Sequence, residues 1–120
     1  MNAQQAITQF VQRCLSPEKA RRFTTLCATK KGRCKVLVSL YHEFESAVRS
    51  SAIRSGGYDS LWGSPCFVFY EPQGFGVEAA SVREAYDQLT VTGGWLILLC
   101  DASAGIYRPE ARWDDEKLIG

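Results

Sequence analysis

The chain has very little of what catalytic and metal sites are usually built from. It holds one histidine, His42, among 120 residues, so a single imidazole is all that general acid–base chemistry near neutrality has to use. No C-x-x-C pair occurs. The five cysteines, Cys14, Cys27, Cys34, Cys66 and Cys100, are odd in number and irregular in spacing, which argues against a secreted disulfide framework. Cys14, Cys66 and Cys100 sit in apolar patterns and read as small core residues. Cys34 and His42 lie eight positions apart. In one helix that is a rise of about 12 Å, too far for both to hold one zinc unaided. No metal and no cofactor is expected. The motifs of nucleophile elbows, phosphate loops and dinucleotide sites are missing; Gly74-Phe75-Gly76 has only part of the last spacing. The Pro65-Cys66 pair continues as Phe67-Val68-Phe69 and does not complete a zinc deaminase signature.

Long apolar runs are missing too. The longest are Cys66 to Tyr70 and Trp95 to Cys100, well short of the ~20 residues that cross a bilayer. The first residues, MNAQQAITQFVQRC, lack the basic start and apolar stretch of a signal peptide, and a cytosolic location without membrane contact is expected. Repeats and Pro- or Ser-rich linkers are absent, so residues 1–120 are read as one domain.

What is present is a pattern of helices followed by strands. Ala3, Ala6, Ile7, Phe10, Val11, Cys14 and Leu15 follow helical spacing. Ser16-Pro17-Glu18 suits a helix start, and a second helix is predicted from Pro17 to about Ala28. Gly32 is expected to interrupt that pattern. A third helix then carries Val36, Leu37, Leu40, Phe44, Ala47 and Val48 on one face, with Lys35, His42, Glu43, Glu45 and Arg49 on the polar face. After a breaker-rich stretch through Gly57, Cys66 to Tyr70 reads as a strand. The turn at Gln73-Gly74 leads to a hairpin arm, Phe75 to Ala79. Ser81 to Glu84 is a capping box that opens a helix to about Leu89. After Gly93-Gly94, Trp95 to Cys100 reads as a central strand buried on both faces, and Ile106 to Arg108 as an edge strand. The order predicts an α+β fold: three N-terminal helices packed on a small, mainly antiparallel sheet with one further helix, β-β-α-β-β.

Charge divides the chain. Residues 1–60 hold ten Lys/Arg and four Asp/Glu, whereas residues 61–120 hold four and nine. Opposed fields of this kind favour charged partners or self-association, and a homodimer is expected. Two surfaces stand out. Trp113, Asp114, Asp115 and Glu116 place an aromatic anchor beside three carboxylates and suit docking on a protein with a basic surface. Arg21, Arg22, Lys30, Lys31, Arg33 and Lys35 surround an interhelical turn and suit an anion or nucleic acid. His42 is read as a solvated helix residue rather than a catalyst, so no catalytic residue is assigned.

Glu18 to Phe23 (EKARRF), Lys30 to Lys35 (KKGRCK), Leu40 to Phe44 (LYHEF) and Ser81 to Leu89 (SVREAYDQL) together resemble small, uncharacterised bacterial accessory proteins of the mobile gene cassette type. The resemblance implies a bacterial, cytosolic, non-catalytic protein and carries over no functional residue. The leading expectation is a protein-binding accessory protein, immunity-like or regulatory, acting through a charge-polarised surface. A nucleic-acid-binding module using the basic turn is the alternative, ahead of an enzyme using His42.

Overall fold

The computed structural model describes residues 1–70, 72, 74–89, 94–109 and 116–120. Gln73, Gly93, Trp113, Asp114 and Asp115, all singled out above, lie outside them. The element order is α1 (Ala3–Cys14), α2 (Pro17–Thr24), a 3-10 turn (Thr25–Ala28), α3 (Lys30–Ala47), a second 3-10 turn (Ser50–Ala52), β1 (Ile53–Arg54), β2 (Cys66–Phe69), β3 (Val77–Ala79), α4 (Val82–Gln88), β4 (Trp95–Leu99), β5 (Gly105–Arg108) and β6 (Lys117–Ile119). This is the α+β architecture read from the sequence, enlarged by the short strands β1 and β6.

The N-terminal helices form where the spacing places them. Asn2 and Gln5 close a reciprocal capping box at the start of α1, satisfying two of the free N–H groups there. Ser16 precedes Pro17 at the start of α2, but its side chain makes no capping bond; its backbone N–H donates instead to Ala47 O at 2.7 Å. The second helix tightens into the 3-10 turn at Thr25 rather than running on as α-helix to Ala28.

Gly32 does not break the chain. Thr29 caps α3 by accepting from Gly32 N–H at 2.9 Å, so the helix already includes Gly32. A β-carbon on Gly32 would lie 1.8 Å from Leu26 O. The glycine is there because the first turn of α3 presses on the backbone of the preceding turn. Later in α3, Glu43 leaves helical geometry (φ −131°, ψ 27°), and Phe44 stacks on Tyr107 with centroids 5.6 Å apart.

The six strands form one antiparallel sheet in the order β1-β6-β5-β4-β2-β3. The predicted edge position of Ile106 to Arg108 is corrected: β6 pairs along β5, with Ile106 opposite Leu118, and β1 pairs along β6. The true edges are the two-residue β1 and the three-residue β3. Side chains alternate across the sheet. Phe67, Phe69, Leu96, Leu98, Tyr107 and Ile119 join the core beneath α1–α3. Val68, Trp95, Ile97, Leu99, Ile106 and Leu118 join a second core with Leu61, Val82 and Ala85. Both faces are covered, which is why Trp95–Leu99 is apolar at every position and buried throughout.

Between β2 and β3 the chain reverses through Gly74, Phe75 and Gly76, all with positive φ (99°, 49° and 127°). Phe75 enters the helical-side core, and Gly76 N–H donates to Val68 O at 2.7 Å. The Gly-x-Gly spacing here serves a tight reversal, not a phosphate loop.

Candidate functional site

The sheet is covered on one face by α1–α3 and on the other by α4 with the 58–62 loop. The α1–α3 layer, residues 1–49, holds nine Lys/Arg and three Asp/Glu. Arg21 and Arg22 from α2, with Lys30, Lys31 and Lys35 from α3, are all exposed. None of these five is ion-paired among the described residues, where the ion pairs are Lys19–Glu43 and Arg108–Glu116. Arg22 also lies 5.6 Å from the Phe23 ring centroid. Arg33, the sixth cation of the predicted set, turns inward. Its Nε donates to Phe75 O at 3.2 Å and its Nη1 to Cys27 O at 3.0 Å. It clamps the β2–β3 reversal and the end of the 3-10 turn to α3, so these donors are committed to the fold.

Helical geometry, about 100° per residue, puts Lys31, Lys35, Val38 and His42 on one stripe of α3 with Tyr41 on its flank. The exposures match: Val38 is 49% and Tyr41 37% exposed, and Lys31, Lys35 and His42 are exposed as well. The Tyr41 and His42 rings meet edge to face, with centroids 4.9 Å apart. Sequence reasoning missed Val38 and Tyr41 as surface residues. The signal was available, since Val38 falls nearly opposite Leu40 on the helix.

Of the acidic set, the described member, Glu116, is held within the fold. Tyr58 Oη donates to its Oε1 at 3.0 Å, Tyr86 Oη lies 2.9 Å from both oxygens, and Arg108 Nη1 reaches Oε2 at 3.4 Å. Trp62 stands edge to face against both Tyr58 and Tyr86, and Tyr86 against Trp95. Burial, reinforced by the Glu116 carboxylate, pushes both phenols above their ordinary range. Both tyrosines therefore stay protonated as donors. The cluster ties the start of β6 to α4 and to the 58–62 loop. Around it, Asp59, Glu84 and Asp87 are exposed, and Arg83 lies over the Trp62 ring at 4.8 Å.

Among the described residues, no group of three His, Cys, Asp or Glu is placed to hold a metal ion. Burial raises the thiols of Cys14 and Cys27, and pushes Cys66 up to about 12, which keeps them protonated and poor nucleophiles. Ser103 donates to Asp101 through Oγ at 2.6 Å and N–H at 2.9 Å. These bonds lower the pKa of Asp101 and fix the β4–β5 turn. An open groove of about 670 Å3, lined in part by Met1, Asn2, Gln4, Arg33, Phe67 and Glu78, brings no nucleophile to a base. Among the described residues, no helix is long and apolar enough to cross a membrane. Comparison with protein-family models, with curated proteins and with solved structures returns no match to this chain.

Proposed function

We propose that the protein is a small, non-catalytic binding protein of the cytosol that engages nucleic acid through the outer face of its helical layer. The observation that carries this reading is that Arg21, Arg22, Lys30, Lys31 and Lys35 are exposed on the layer of net positive charge and make no ion pair among the described residues. Cations in that state release condensed counterions when they meet phosphates, which supplies salt-dependent affinity without base contacts.

Fluorescence anisotropy with a labelled 20-nucleotide strand tests it. Binding is expected at 50 mM salt, with a marked loss by 200 mM. Lys31→Ala with Lys35→Ala should lower the slope of log affinity against log salt by about 1.4 for a single strand. No anisotropy change at 50 mM salt sinks the proposal. The alternative, built on the sequence set Trp113, Asp114, Asp115 and Glu116, is docking of a basic protein surface, a second copy included, on the side bearing Glu116, the described member of that set. It is favoured by the exposed Asp59, Glu84 and Asp87 of that side. It replaces the first reading if nucleic acid is not bound and light scattering in dilute salt shows a dimer.

A further inference from the structure

We infer that the nucleic acid taken by this face is single-stranded, with an unpaired base stacking at Tyr41; the inference rests on the reading above and specifies its ligand. Phosphates alone would be satisfied by a wholly cationic surface. Here the exposed lysines of α3, Lys31 and Lys35, are followed along the helix by the exposed Val38, Tyr41 and His42. Along α3 the exposed stripe runs Lys31, Lys35, Val38, His42, and Tyr41 adds a second ring beside His42, at 4.9 Å. Val38 is 49% and Tyr41 37% exposed, although a helix with apolar surface to spare would turn both toward the core. The core beneath α3 is already filled by Val36, Leu37, Leu40 and Ala47 from that helix. Cations that follow a backbone, next to exposed rings, are the two parts of a single-strand platform. Every base has a π-face, so such stacking asks for no particular sequence. In a duplex the bases are already stacked on each other and their faces are not presented to a convex helix surface. The occupant is argued from charge: Lys31 and Lys35 on the stripe, with Arg21, Arg22 and Lys30 exposed on the same helical layer, favour a polyanion over an apolar protein segment.

The test compares 12-nucleotide single strands of RNA and of DNA with a duplex of the same sequence, bound to the wild type, Tyr41→Ala and Tyr41→Phe. Tyr41 is on the surface, so both variants should keep the wild-type circular dichroism and melting temperature. Tyr41→Ala is expected to weaken binding of a single strand about fivefold or more, with duplex binding unchanged, and Tyr41→Phe to restore single-strand binding. The RNA and DNA arms identify which backbone is preferred. Equal losses on single strand and duplex, or no loss with Tyr41→Ala, overturn the inference and leave electrostatic binding standing. Absence of binding by the wild type to any of the three overturns the proposed function itself.

Discussion

At the scale of single residues, the firmest constraint in the molecule is Gly32. Its missing side chain lets α3 begin against the carbonyl of Leu26, where a β-carbon would sit 1.8 Å from the oxygen. The obstructing atom is backbone, so relief requires moving the 3-10 turn or the helix. Gly32→Ala raises intrinsic helix propensity, yet it is expected to destabilise the protein by about 2 kcal/mol or more. A urea midpoint equal to or above that of the wild type would contradict this. The sequence shows a glycine among cations and invites the opposite reading, an interruption. Only the tertiary approach of two turns distinguishes a breaker from a spacer. The same limit applies to Arg33: in the sequence it is one of six equivalent cations, but the fold gives its donors to Phe75 and Cys27.

At the scale of elements, β6 has the largest structural consequence for its length. Three residues, Lys117 to Ile119, fill the space between β1 and β5. Leu118 faces one core and Ile119 the other, and Gly120 N–H adds a bond to Ala52 O at 2.8 Å. Ile119 is fully buried, so Ile119→Ala is expected to cost about 2–4 kcal/mol, read from the shift in denaturant midpoint; a shift under 1 kcal/mol would argue against the placement of β6. The central strand β4, the hairpin arm β3, the Ser81 cap and the three early helices were all legible, because periodicity, turn residues and caps are local signals. β1 and β6 were not. Each is two or three residues long, too short for alternation to register; β6 becomes a strand by pairing with β5 and β1, and β1 by pairing with β6. The same brevity hid Tyr58 and Tyr86 as partners of Glu116, since that contact joins segments far apart in the chain.

At the scale of the whole molecule, burial of ionisable groups in both layers sets a response to alkali. Cys14 and Cys27 on the helical side, with Cys66, Tyr58 and Tyr86 on the other, all have raised pKa values chiefly through burial, Cys66 reaching about 12. In the unfolded chain these thiols and phenols ionise around pH 8.5–10, whereas in the folded protein they hold their protons. Above that point the folded state binds more protons than the unfolded one, and stability must fall with rising pH. The urea midpoint is expected to be level between about pH 6.5 and 7.5 and to decline steadily through about pH 8–11; a flat profile across that range would mean that these groups reach solvent. Strand order has a consequence for assembly. The helices and the β2–β3 hairpin make contacts near in sequence and can form early. β1 cannot enter the sheet until β6 has arrived from the far end of the chain to stand between it and β5. Entry of β1 into the sheet therefore waits on β6, and until β6 docks β5 presents a bare margin to other molecules. Newly made chains are most at risk of sticking to one another in that interval, at a seam the finished protein no longer shows.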